Sequence, residues 1–135
     1  MKDLKILWEK IYGSNEQEKF NDLINLIKEK KEQIKYIPED KDWLKKGIVY
    51  SMYVDHFAKN FEGMKEKIGY LKDLGVKTIW LLPILESPMQ DQGFDISDYY
   101  KVRSDLGTNE EFYDLINEIH KNGMKIIFDV AVNHT

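Results

Sequence analysis

Apolar residues recur along this chain with two different periods, and the pattern changes near residue 48. Before that point Leu4, Leu7, Trp8 and Ile11 lie at helical spacing, and Gly13 supplies a C-terminal stop. Ser14, with Gln17 three positions on, matches a capping box. Phe20, Leu23, Ile24, Ile27 and Ile34 then form one stripe on a second, lysine-rich helix. Pro38 closes it, because proline disfavours helix in the residue before it. Residues 39–47 are charged and end in Gly47, which predicts a linker after an N-terminal helical extension over 1–47.

From residue 48 strand-like and helix-like runs alternate. Residues 48–54 are β-rich and apolar on both faces, as a buried parallel strand requires. Phe61, Met64, Ile68, Leu71 and Leu74 follow at helical spacing and stop at Gly75. Residues 78–82 form the next strand, and a long polar loop with Pro83, Pro88 and Gly93 comes after it. Thr108 and Glu111 make a capping box for a helix striped by Phe112, Leu115, Ile116 and Ile119, which ends at Gly123. Residues 126–132 are a third strand. The order strand–helix–strand–helix–strand implies an α/β fold with parallel strands and right-handed crossovers. A doubly wound sheet and a piece of a barrel both satisfy it, and in both the ligand sites lie at the C-terminal ends of the strands.

Composition narrows the function. Charged residues make up 33% and hydrophobic residues 42%, a globular balance rather than a disordered one. At 135 residues the chain is long enough for a core. It is too short for a complete eight-stranded barrel, which needs roughly 200 residues or more. The net charge is −4, and Arg103 is the single arginine among 20 basic residues. Neither fact suits a nucleic-acid binder, which needs a basic face and favours arginine. There are no cysteines, so disulfide scaffolds and thiolate metal sites are excluded. Charges interrupt the N-terminal residues and no run approaches a membrane span. The expectation is a cytoplasmic protein with no membrane partner.

The polar residues worth weighing follow the strands. Asp55 and His56 come after the first, but neighbours on an extended chain point to opposite faces, which favours a structural role over a proton relay. The loop there lacks the spaced aspartates of a calcium site. After the second strand, Gly93-Phe94-Asp95 sets an aromatic face beside a carboxylate in a loop longer than an ordinary βα connection. Sugars are held by such pairs, through stacking of C–H faces and hydrogen bonds from hydroxyls to the carboxylate. On composition alone a surface turn with a buried aromatic is favoured. In the third strand Asp129 sits inside an apolar run and, as a buried carboxylate, needs a partner. Asn133 and His134 lie at that strand's end. His56 and His134 are too distant and unsupported to imply a metal site, and His120, beside Ile119, reads as a half-buried helix residue.

Taken together these segments resemble the start of the alpha-amylase family of glycoside hydrolases. Asp129-Val-Ala-Val-Asn-His134 matches the family's Asp-x-x-x-Asn-His at the end of the third barrel strand. Gly93-Phe-Asp-Ile-Ser-Asp-Tyr99 resembles the Gly-Tyr-Asp-Ile-Ser-Asp-Tyr of alpha-glucosidase-like members. Leu106-Gly-Thr108, Gly123-Met124 and the Tyr53-Val-Asp55 with Phe57 of amylosucrases agree in order. The likeness covers residues 48–135 and implies the first three strands of a (β/α)8 TIM barrel, preceded by the N-terminal helical extension. It implies that Phe94 stacks on the sugar in subsite −1, that Asp95 hydrogen-bonds the non-reducing-end glucose, and that His134 contacts its 6-hydroxyl. Phe94 replaces the usual tyrosine, keeping the stacking face and losing a hydroxyl. Asp129 is a supporting carboxylate expected to pair with an arginine near the nucleophile. Asn133 is structural in glucosidase-like members and binds calcium in true alpha-amylases, so a calcium ion is not favoured here and no cofactor is expected.

The implied substrate is an alpha-glucan, a malto-oligosaccharide or a sucrose-type sugar, cleaved by hydrolysis or by amylosucrase-like transfer. The family's nucleophile and acid/base come from the fourth and fifth strands, beyond Thr135. These 135 residues are therefore expected to hold no catalytic carboxylate, to be inactive alone and to self-associate. The alternative is a stand-alone non-catalytic α/β module that binds a sugar or a partner.

Overall fold

A computed structural model describes residues 2–33 and 42–134. The chain divides into two compact units, residues 1–39 and 40–135.

In the first unit α1 (Lys2–Tyr12) and α2 (Gln17–Gln33) are joined by a short 3-10 turn, Ser14–Glu16. Trp8 organises this unit. Its ring lies 4.4 Å from Tyr12 and 5.6 Å from Phe20, and its Nε1 donates to the Glu16 carbonyl at 3.2 Å. Phe20 is buried, whereas Leu4, Leu7, Ile11, Leu26 and Ile27 are exposed. The capping box expected at Ser14 and Gln17 does not form. Ser14 is taken into the 3-10 turn behind Gly13, no side chain caps that turn, and the Gln17 amide is spent on Asn21 (3.1 Å). Ile34, Pro38 and residues 39–41 lie outside the described residues. Residues 42–47 form turns in which the amides of Lys45 and Lys46 donate to the Asp42 carbonyl.

The second unit contains β1 (Ile48–Met52), α3 (Val54–Ala58), α4 (Phe61–Asp73), β2 (Val76–Leu81), β3 (Leu85–Glu86), β4 (Asp98–Val102), α5 (Asn109–Lys121) and β5 (Lys125–Phe128). β1, β2 and β5 form one parallel sheet in that order, with Ser51, Trp80 and Ile127 in one row across it. The two crossover helices are well delimited. Asn60 accepts from the Gly63 amide (2.9 Å) at the start of α4. Thr108 and Glu111 complete the expected capping box at the start of α5. Met52, Ile79 and Leu81 of the sheet, Phe61, Met64, Ile68 and Leu71 of α4, and Phe112, Leu115 and Ile119 of α5 make the core. Phe61 and Phe112 tie the two helices, with ring centroids 5.3 Å apart.

Four expectations are corrected. The first strand ends at Met52, and Val54 opens a helical turn behind Tyr53. The third strand stops at Phe128, because its partner strand ends at Leu81 and runs into Pro83, which has no N–H to extend the ladder. The long polar loop carries a two-stranded antiparallel sheet, β3–β4, whose Leu85 and Val102 are buried. His120 is exposed on the outer side of α5 rather than half-buried. No helix among the described residues is long and apolar enough to cross a membrane.

Candidate functional site

Three segments leave the C-terminal edge of the sheet: Tyr53–Asp55 after β1, residues 82–97 after β2, and residues 129–134 after β5. Parallel strands deliver such segments to one edge, so every candidate residue except His120 lies on this side.

The segment after β2 is the most structured. Pro83 is buried and anchors its base. Gly93 passes close over it at φ +92°, where an added Cβ would stand 2.9 Å from the Pro83 Cβ. Only glycine fits there. Asp95 then holds the loop together. Its Oδ1 accepts from the Ser87 hydroxyl (2.7 Å) and its Oδ2 from the Gln90 amide (2.8 Å). The Ser87 oxygen in turn accepts from the Met89 amide (2.9 Å). Donation from Ser87, more than the backbone amides, holds the Asp95 carboxyl below the usual carboxylate range. It is therefore ionised at neutral pH and retains lone pairs that could accept from sugar hydroxyls. Phe94 is half-buried beside it, its amide donating to the Asp91 carbonyl (2.9 Å). Asp98, three residues on, is exposed, and its carboxylate accepts from the Tyr100 amide (2.8 Å).

The segment after β5 is tied back to the hairpin. The Tyr99 hydroxyl of β4 lies 2.7 Å from the Ala131 carbonyl and 3.2 Å from that of His134. This ties the backbone of His134 to β4 and leaves the residue exposed. Asn133 is exposed as well. Asp129 differs from expectation. It lies just past the strand, half-buried, with its amide donating to the Leu81 carbonyl (3.0 Å). Its carboxylate forms no hydrogen bond among the described residues. No group of three or more His, Asp or Glu side chains among the described residues could hold a metal ion.

Arg103 is the feature sequence reasoning missed. Its side chain is 4% exposed at the end of β4. Nε and Nη2 clasp Asp105 (3.1 and 2.7 Å), Nη2 also donates to Asp55 (3.0 Å), and Nη1 lies 3.2 Å from the Met89 sulfur. The hydrogen bond with Asp105 raises the guanidinium pKa further and lowers that of the Asp105 carboxyl. Asp55 is thus one of two carboxylates, themselves partly or largely exposed, around a buried guanidinium, and it sits on a helical turn rather than the extended chain expected. The only signal in the sequence was that a lysine-rich chain keeps a single arginine. A second tie joins the same two segments, since the Tyr53 hydroxyl lies 3.3 Å from Gln92 Oε1.

With this geometry in hand, comparison with known proteins is informative. Residues 46–135 match the catalytic domain of alpha amylase. The oligo-1,6-glucosidase of Bacillus sp. (strain F5) is 42% identical over 100 residues, 69% of this chain and 20% of its own length. The crystal structure of Bacillus licheniformis trehalose-6-phosphate hydrolase superposes with a TM-score of 0.64 at 41% identity, over 69% of this chain and 18% of that one. The trehalulose synthase MutB of Pseudomonas mesoacidophila gives a TM-score of 0.64 at 37% identity, over 73% of this chain and 19% of its own. This chain spans about one fifth of the length of these relatives. Barrel enzymes as neighbours decide between the two architectures that the strand order permits, in favour of the first strands of a TIM barrel.

Proposed function

The chain belongs to the alpha-amylase catalytic-domain family, and from that premise we propose that it is the N-terminal part of a retaining enzyme acting on alpha-glucosidic bonds. The observation that carries the reading is an ionised Asp95 on a tightly bonded loop at the C-terminal edge of the sheet, next to the half-buried ring of Phe94. In the proposed reaction Phe94 supplies a stacking face for the terminal glucosyl unit. Asp95 accepts hydrogen bonds from that unit's hydroxyls, and His134 reaches its 6-hydroxyl. These contacts orient the sugar and so convert binding into rate when they tighten at the transition state.

The bond-making groups would be a nucleophile and an acid/base about 5–5.5 Å apart, supplied by later strands. One forms a glucosyl-enzyme ester as the other protonates the leaving oxygen; water or a sugar hydroxyl then resolves the ester. Short glucosides with a free non-reducing end are the proposed substrates. Both hydrolysis and transfer fit, since the matched relatives include a glucosidase and a synthase by name. No cofactor is part of the proposal.

The test compares Asp95→Ala with Asp98→Ala in the complete enzyme, using an aryl alpha-glucoside. A charged hydrogen bond lost at the transition state lowers kcat/KM by about one to two decades. Asp98→Ala should stay within about threefold of the parent. If Asp95→Ala melts early yet keeps its kcat/KM per folded molecule, Asp95 is only a turn residue and the reading of this loop fails.

A further inference from the structure

The geometry points to Arg103 as a positioning residue for Asp95: through Met89 and Ser87 it sets where the Asp95 carboxylate meets the terminal glucosyl unit. This rests on the reading of Asp95 given above and extends it to a residue that touches no sugar.

Three observations converge. First, the loop carrying Asp95 contains two non-glycine residues in the left-handed region, Met89 at φ +59° and Gln92 at φ +53°. Such conformations persist only where surrounding contacts impose them. Second, each of the two is held from outside the loop by one polar contact. Arg103 Nη1 sits against the Met89 sulfur, and the Tyr53 hydroxyl meets Gln92. Both anchors belong to one corner, since Arg103 is bonded to Asp55, two residues after Tyr53. Third, the path from the anchor to the carboxylate is short and continuous. Met89 donates its amide to the Ser87 oxygen, and that hydroxyl donates to Asp95.

The guanidinium is suited to this task. It is buried, planar and charged at every working pH, and its fork is fixed by the two-point clasp on Asp105. It therefore serves as a rigid stop for the Met89 side chain. A residue that merely balanced the charges of Asp55 and Asp105 would need neither the contact with Met89 nor burial. If the stop is removed, Met89 can relax out of the left-handed region, Ser87 loses its fixed donor, and the Asp95 oxygens turn within the loop.

The experiment is a double-mutant cycle in the complete enzyme with an aryl alpha-glucoside, reading kcat and KM separately alongside a melting curve. Arg103→Met is expected to lower kcat/KM roughly tenfold, mostly through KM. In the Asp95→Ala background the same change should have almost no further effect, because the residue through which Arg103 acts is gone. Arg103→Lys keeps the charge but not the fork, and should fall between Arg and Met; it carries the same cycle if Arg103→Met does not fold. An equal loss from the Arg103 substitution in both backgrounds overturns the inference, and so does a lowered melting temperature with unchanged kcat/KM. A kcat/KM for Asp95→Ala within twofold of the parent would instead refute the assignment of Asp95 itself, and this inference with it.

Discussion

The two faces of the β1–β2–β5 sheet meet different surroundings. On one face Met52, Ile79 and Leu81 are 6%, 0% and 0% exposed beneath α4 and α5. On the other Val49, Trp80 and Ile127 remain 37%, 38% and 37% exposed. Strand alternation places neighbours on opposite faces, and the open face carries Ser51, Thr78 and Lys125 beside its apolar residues, so the contrast is one of covering and of composition. Helix-covered residues complete a core within residues 40–135. Those on the open face have the character of a barrel interior, where layers of side chains from several strands fill the centre. In this sense helices cover one face of the sheet and leave the other open.

The strongest consequence concerns activity. If the open face and the segments above it are part of a larger barrel, the 135-residue polypeptide made alone should show no turnover of maltose, sucrose or an aryl alpha-glucoside. Positioned acid, base and nucleophile account for most of a glycosidase's rate, and sugar contacts do not replace them. Turnover that survives repurification and follows this polypeptide would break the comparison at its root.

The next concerns association. An apolar sheet face with unpaired strand edges is a template for self-pairing. The isolated polypeptide should self-associate at micromolar concentration, as light scattering would register. Trp80 reports where. With Trp8 and Trp43 changed to Phe, its emission should shift to the blue and lose iodide quenching as concentration rises. A monodisperse monomer with an unchanging spectrum would show that this face needs no cover.

Core truncations sharpen the contrast further. At concentrations below association, Leu81→Ala should cost about 2–5 kcal/mol in urea unfolding, as buried leucines do. Trp80→Ala should cost clearly less, despite removing a larger side chain. In the complete enzyme the order should reverse or level, because a covered Trp80 is worth about 3–5 kcal/mol. Equal costs in both settings would mean that the exposure of Trp80 has no energetic meaning.

These two faces also explain what was legible in the sequence. Helices α4 and α5 were readable because each has a full apolar stripe and a local cap, and a cap is a contact between residues three apart. The parallel order of strands and the side on which the site lies followed from the alternation alone. Val54–Ala58 was not readable, since five residues are too few to express a helical period and its β-branched start continues the strand pattern. The β3–β4 pairing was hidden because one strand has only two residues. A motif singled out Asp95 and Phe94 as candidates, whereas none singled out Arg103, whose partner Asp55 is 48 positions away. Contacts of that range leave no periodic trace in a single sequence.

The smallest expected effect separates the apolar core from the polar loop. The core cluster is held by apolar side chains, whereas the loop is closed by Asp95. In the folded loop the Ser87 hydroxyl and the Gln90 amide hold the Asp95 carboxyl below its ordinary value near 3.8. For a carboxyl depressed in the folded state, the stabilisation is complete above the unfolded value and is lost as pH falls through the folded one. Asp105, lowered by Arg103, acts in the same direction. Acid should therefore loosen the loop before it loosens the sheet. Native-state hydrogen exchange resolves the two: below about pH 4 the Met89 and Gln90 amides should lose protection, after correction for intrinsic rates, while the Leu82 amide, bonded to Met52 in the ladder, should keep it. The effect is modest because the carboxylate is close to water and screened. Asp95→Asn should show weaker protection at Gln90 at neutral pH and no acid transition there. If the parent and Asp95→Asn lose protection along the same pH curve, another group closes the loop and the contrast between a neutral core and a charge-held site does not stand.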